Sequence, residues 1–88
     1  MPSPSLSAVI IAFNEEHNLP RCLESLEGIA DEVLVVDSGS TDRTVALAEE
    51  RGARVLTHVF EGHIQQKNWA ADQATGEWLL SLDADEAL

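Results

Sequence analysis

The strongest constraint in this chain of 88 residues is the alternation of short apolar runs with amphipathic stretches of crossover length. Four runs stand out, over 8–13, 32–37, 53–57 and 77–82. The first, second and fourth are near-continuous and rich in β-branched residues or Leu, the pattern of strands covered on both faces of a parallel sheet. The third is less apolar and is expected nearer an edge.

Three helical patterns lie between the runs. In the first, Leu19, Cys22, Leu23 and Leu26 recur at i, i+3, i+4 and i+7 until Gly28 ends the pattern, so Cys22 is most simply a core residue. The second is expected to start at Ser40-Thr41-Asp42, with a hydroxyl cap and Asp42 in the positive first turn, and to close at Gly52. The third runs from about 62 to 75 with Gly76 as its stop, and its inward face is expected to carry Ile64, Ala71 and Ala74 together with Lys67 and Asn68.

A β-α-β-α-β-α-β order with short connections implies an α/β fold: a four-stranded parallel sheet, right-handed crossovers and helices on its faces. Residues 1–5 read as a loose leader and 6–88 as one continuous domain, the size of a single modest core. Neither a signal peptide nor a membrane span is expected: the start lacks a basic segment and the apolar run Leu6–Phe13 is too short to span a bilayer. Cys22 is the only cysteine, which excludes an internal disulfide and is compatible with the cytosol.

The charge narrows the function. A net charge of −11, from 16 acidic against 5 basic residues, argues against a nucleic-acid partner. An anionic ligand bound to so acidic a chain would need a cation.

Ligands of open parallel sheets bind outside the carboxyl ends of the strands. Those exits carry Asn14-Glu15-Glu16, Asp37-Ser38-Gly39-Ser40, His58 and Asp83-Ala84-Asp85. Asp83 and Asp85 are two apart, so on an extended backbone they project to one side and could share a ligand. Their hard oxygens suit Mg2+ or Mn2+ bridged to phosphates. Asp37 is either a turn residue bonded to local backbone or an acceptor for a base N–H. Lys67 either snorkels to water or contacts phosphate, while Asn68 is expected to be a buried amide tying loops together. Glu15 and Glu16 stand near the positive end of the first helix, which is enough to account for Glu16. His17, His58 and His63 lack metal-ligand spacing and are assigned no role.

Three segments in order, Val9-Ile10-Ile11-Ala12-Phe13-Asn14-Glu15-Glu16, Val35-Val36-Asp37-Ser38-Gly39-Ser40-Thr41-Asp42 and Leu80-Ser81-Leu82-Asp83-Ala84-Asp85, resemble the N-terminal half of family 2 glycosyltransferases with a Rossmann-like GT-A fold. Gln66-Lys67-Asn68-Trp69-Ala70 and Gly76-Glu77-Trp78 are similar to bacterial envelope members, including lipopolysaccharide-core glucosyltransferases. The resemblance implies that Phe13, Asn14, Glu15 and Asp37 hold the nucleotide base. It also implies that Lys67 approaches the nucleotide, that Asp83 meets ribose and metal, and that Asp85 holds Mn2+ or Mg2+ at the diphosphate. Many relatives carry Asp-Asp where this chain has Asp37-Ser38.

The implied reaction is an inverting displacement at the anomeric carbon of a nucleotide-sugar donor, UDP-sugar by resemblance, onto a saccharide or lipid-linked acceptor. The family's catalytic base lies well downstream of the D-x-D segment, so no catalytic residue is assigned within these 88 residues, which are expected to bind donor without turnover. The implied location is cytoplasmic, in full length peripheral to the inner membrane face, and open sheet edges would invite self-association. A dinucleotide oxidoreductase would need G-x-G-x-x-G where the chain has Asn14-Glu15-Glu16-His17-Asn18. A phosphatase using Asp83 and Asp85 would carry that pair after the first strand and continue to Thr or Val, not Ala87. The remaining alternative is a non-catalytic nucleotide-binding module.

Overall fold

The computed structural model describes residues 5–58, 63–74 and 78–84, the side chains of His63, Ile64 and Lys67 excepted. Alternation in the sequence becomes alternation in space: β1 (Leu6–Ala12), α1 (Leu19–Leu26), β2 (Glu32–Asp37), α2 (Thr44–Glu50), β3 (Arg54–Thr57), α3 (His63–Gln73) and β4 (Trp78–Asp83). The strands form one parallel sheet in the order β3-β2-β1-β4, with β3 at an edge as its weaker apolar character predicts.

The pleat sorts side chains to two cores. Ala8, Ile10, Ala12, Val35 and Leu82 pack with Leu19, Cys22, Leu23 and Leu26 of α1 and Ala48 of α2. Val9, Leu34 and Val36 pack on the other face with Ala70 of α3, joined by Ile11, Leu56, Trp69 and Ala74. The heptad-like spacing in α1 therefore puts all four of its expected residues in the core, and Cys22 is free and buried.

Several expectations change. Strand β4 is not covered on both faces: Trp78 and Leu79 are 62% and 48% exposed, and only Leu82 of the strand is buried. Ser5, assigned to the leader, is anchored by its carbonyl, which accepts the Trp78 amide at 2.9 Å. Helix α2 begins at Thr44, later than expected: Arg43 is its cap residue and supplies no side-chain cap, Asp42 Oδ1 accepts the Thr44 N–H at 2.9 Å from just ahead of the helix, and Ser40 bonds across to Asn14. Glu15 and Glu16 do stand near the N-terminal end of α1 as expected, just ahead of its first turn, with the Glu15 carbonyl accepting the amides of Asn18 and Leu19. On α3 the fully buried residues are Gln66 and Ala70; Ala71 is half-buried, Asn68 is exposed, and the side chain of Ile64 lies outside the described set. Gly76 also lies outside it.

The β1–α1 and β2–α2 loops are held together by three successive amides of one loop bonded to side chains of the other. Asn14 N–H donates to Ser40 Oγ at 2.9 Å, Glu15 N–H to Thr44 Oγ1 at 2.8 Å and Glu16 N–H to Asp42 Oδ2 at 3.2 Å. Asn14 Oδ1 returns the contact by accepting the Thr41 N–H at 2.8 Å. Asn14 sits at φ 51°, a left-handed conformation that Asn tolerates better than most residues because its short side chain bonds locally. At the other end of the sheet, Glu32 accepts the Ser7 hydroxyl at 2.9 Å and pairs with Arg54 at 3.9 Å, linking the starts of β1, β2 and β3.

Partial burial disfavours the ionised form of Asp42, but the hydroxyl and amide of Thr44 and the amide of Glu16 outweigh it and hold the carboxyl below its usual range. A folded-state value below the unfolded one gives stability that is present above the unfolded value and lost as pH falls through the folded one. Acid titration of the thermal midpoint is therefore expected to show a loss that begins as pH falls into the ordinary Asp range and is complete only below it. Asp42→Asn should start lower at neutral pH and lose this part of the slope; an unchanged acid limb would refute the assignment. In urea denaturation, Leu26→Ala is expected to cost about 2–5 kcal/mol, as large-to-small core substitutions do. Leu79→Ala, on the exposed strand, should stay within about 0.5 kcal/mol.

Candidate functional site

The register brings the expected segments to one edge. Ala12 pairs with Asp37, Asp37 with Thr57, and Ile11 with Asp83, so the ends of β2 and β4 flank the end of the central strand β1. Asp37 and Asp83 are two strands apart, roughly 10 Å at ordinary interstrand spacing. Asp37 follows Val35 of the first core by two residues, whereas Asp83 follows Leu82 of that core by one. The pleat thus directs Asp37 toward the α1/α2 side and Asp83 toward the α3 side.

Asp37 is 2% exposed, and its carboxylate organises the turn after β2. Oδ2 accepts the amides of Gly39 at 3.0 Å and Ser40 at 2.8 Å, and Oδ1 accepts the Ser40 hydroxyl. This is the turn chemistry anticipated as one of its two readings. Gly39 takes φ 98°, a conformation costly for any residue with a Cβ, and so lets the chain fold back over Asp37. Ser40 then both donates to Asp37 and accepts from Asn14, which fastens the acidic turn to the loop after β1.

Phe13 is 56% exposed at the exit of β1, where a large apolar ring offers a flat surface to a ligand. Asn14 is exposed and Glu15 half-buried; Glu15 Oε2 accepts the Asn18 side-chain amide at 3.0 Å. Asp83 is exposed as the last residue of β4. Lys67 lies on α3, whose backbone alone is described there, and Asp85 lies outside the described residues. Among the described residues no three His, Cys, Asp or Glu side chains gather as a metal cluster.

Two residues given other roles, or none, prove to be structural parts of this edge. Gln66, fully buried, stands between His58 and Ser38: its Oε1 lies 2.9 Å from His58 Nδ1, and its Nε2 donates to Ser38 Oγ at 3.0 Å. The His58 ring stacks on Trp69 with centroids 4.0 Å apart. The buried amide expected at Asn68 is thus supplied two residues earlier. The usable signal was the i, i+3, i+4 relation of Gln66, Trp69 and Ala70, which places all three on one helix face. A hollow at the opposite edge of the sheet, lined by Ser7, Glu32 and Arg54 among others, contains none of the expected site residues.

Comparison with known proteins accords with this geometry. The model of glycosyl transferase family 2 matches residues 7–88. An uncharacterized glycosyltransferase of Rickettsia felis is 46% identical over 94% of this chain, which covers 29% of that protein. The lipopolysaccharide core biosynthesis glycosyltransferase LpsC of Rhizobium meliloti is 43% identical over the whole chain, 34% of its own length. Among solved structures, glucosyl-3-phosphoglycerate synthase from Mycobacterium tuberculosis in complex with Mn2+, uridine diphosphate and glucosyl-3-phosphoglycerate superposes with a TM-score of 0.77 at 29% identity, over 97% of this chain and 36% of that one. The chain therefore spans about a third of the length of these relatives. With a family model matched over nearly all of its residues and a fold that superposes on the mycobacterial synthase, the chain belongs to glycosyl transferase family 2.

Proposed function

We propose that this chain forms the donor half of an inverting glycosyltransferase, binding a UDP-sugar and a divalent metal at the carboxyl edge of its sheet. The observation that carries the reading is the register: the loop after β1, the acidic turn after β2 and the acidic end of β4 lie side by side on adjacent strands. The similar synthase bound to Mn2+ and uridine diphosphate supports the ligand class.

In this reading Phe13, Asn14 and Glu15 form one wall of the base pocket, and the rest of Asp37's accepting capacity meets a base N–H. Asp83 is exposed, hard and anionic, which suits Mg2+ or Mn2+ with substrate phosphates completing the shell. Asp83 and Asp85 would hold the metal, with Asp83 also near the ribose, and Lys67 would face the nucleotide. The bound metal would supply charge to stabilise the departing nucleoside diphosphate. It would also offset the net charge of −11 that otherwise repels a diphosphate.

The LpsC likeness supports a place in lipopolysaccharide or other envelope polysaccharide synthesis, with a saccharide or lipid-linked acceptor met by residues beyond these 88. None of the described helices is long and apolar enough to cross a membrane; a cytoplasmic enzyme peripheral to the inner membrane face remains part of the proposal. So does self-association, for which the exposed Trp78 and Leu79 on β4 are the supporting surface.

Calorimetric titration with uridine diphosphate is expected to show binding that requires Mn2+ and weakens at least about tenfold in Asp85→Ala, a loss of about 1.4 kcal/mol or more. Binding of equal strength without metal would sink the metal-bridged donor site. The 88 residues alone are expected to transfer no sugar to an added acceptor, and measurable transfer would overturn the assignment of a donor half without its base.

A further inference from the structure

Helix α3 is placed on the sheet with little apolar help. Of its described side chains only Gln66 and Ala70 are fully buried, and Ala70 brings a single methyl to a face whose other buried members, Val9, Leu34 and Val36, all belong to the sheet. Helix α1, by contrast, buries three leucines and a cysteine. A methyl on a strand surface accepts many positions, whereas a directed hydrogen bond accepts few.

The directed contacts come from Gln66. Its Oε1 lies 2.9 Å from Nδ1 of His58, at the exit of β3, and its Nε2 donates to Ser38 Oγ at 3.0 Å, at the exit of β2. His58 is itself fixed, because its backbone N–H donates to the Asp37 carbonyl at 2.9 Å and its ring stacks on Trp69 at an interplanar angle of 27°. One buried side chain thus ties the helix to two adjacent strand ends. At the far end of α3 the described tether stands in water: Arg54, an exposed side chain, donates from Nη1 to the Gln73 carbonyl at 3.2 Å.

A helix is stiff, so the place of one residue sets that of the next, about 1.5 Å further along the axis and roughly 100° round it. The residue after Gln66 is Lys67, to which the donor-site reading above gives a nucleotide contact. We propose that Gln66 is a positioning residue for donor binding: by pinning the first turns of α3 to the exits of β2 and β3, it sets the backbone from which Lys67 meets the nucleotide phosphates. The proposal rests on that reading and adds to it a residue that reaches the donor only through its helix. His58 holds Gln66 from the β3 side and acts in the same way.

Calorimetric binding of uridine diphosphate to the whole chain in Mn2+ tests the coupling. Lys67→Ala is expected to weaken binding about tenfold, the scale of one hydrogen bond to a charged group. Gln66→Met keeps the length and fills the space but bonds at neither end, and should weaken binding by a similar factor. The double variant should match the single variants within about twofold, because a lysine already displaced with its helix makes no contact to remove. A merely structural Gln66 would give independent losses, which multiply to about a hundredfold.

His58→Phe keeps a ring against Trp69 and removes the bond to Gln66, so it carries the test if Gln66→Met does not fold. Its expected loss is about threefold, that of one neutral hydrogen bond, and is likewise absorbed by Lys67→Ala. Arg54→Met loosens the far end of α3 and should lower the thermal midpoint, yet Lys67→Ala should keep its full effect in that background. Losses that multiply in the Gln66 and His58 backgrounds overturn the positioning role and leave the donor site standing, as does a Lys67→Ala variant that binds like the wild type. Failure of the wild type to bind the nucleotide in Mn2+ overturns the donor site and the positioning role together.

Discussion

Two hydroxyl groups bear most of the organisation of this sheet edge. Ser40 and Thr44 each accept a backbone amide from the loop after β1 and each donate to a carboxylate of the loop after β2, Asp37 in one case and Asp42 in the other. The arrangement amide to hydroxyl to carboxylate thus occurs twice, four residues apart. Only a group that accepts and donates at once can stand in the middle, which limits these positions to a short list of side chains. It satisfies amides that precede α1, where no neighbouring carbonyl is in reach, and it orients the acidic groups without a cation. Every other placement at the edge, from the left-handed Asn14 to the fold-back at Gly39, follows from keeping these two bridges closed.

Below the bridges the sheet divides the molecule. Among the described residues, one face is covered by α1 and α2 with the larger apolar cluster, and the other by α3 with a smaller one. The smaller side is where polarity enters the interior, through Gln66, at the point where the exits of β2 and β3 converge. A buried amide tolerated in this way needs both ends satisfied, and here both are. Directed hydrogen bonds make this buried amide more specific than an aliphatic contact in its place, since an aliphatic contact accepts many neighbours and a directed hydrogen bond accepts few.

How much of this was legible beforehand depends on how strongly each element announces itself. Helix α1 was read residue by residue because Leu19, Cys22, Leu23 and Leu26 form an unbroken apolar stripe. The strand order follows less directly, but Val, Ile and Leu runs joined by short crossovers leave few arrangements, and the weaker third run lies at an edge as expected. The start of α2 falls later than expected because Ser40, Thr41 and Asp42 are all good capping residues, and nothing local reveals that Ser40 and the Thr41 amide bond across to Asn14 while Asp42 serves both the Thr44 amide and the Glu16 amide. Helix α3 was the least legible, since its buried face combines Gln66, Trp69 and Ala70 in place of an aliphatic stripe. The exposure of β4 was invisible for a different reason: an apolar strand has the same composition whether or not something covers it. At the site, the clustering of acidic exits was visible from topology alone, whereas the inward engagement of Asp37 and the role of His58 required coordinates.

The two tryptophans differ in a way that makes the chain its own reporter. Trp69 lies half-buried against an imidazole on the α3 side, while Trp78 stands 62% exposed at the start of β4, at the far end of the sheet from the loops. Indole emission shifts to longer wavelength in water, so the half-buried and the exposed ring carry separable optical signals. One reads the interior beside the β2 and β3 exits and the other reads whatever comes to lie along β4, without a dye or a label being added to the protein.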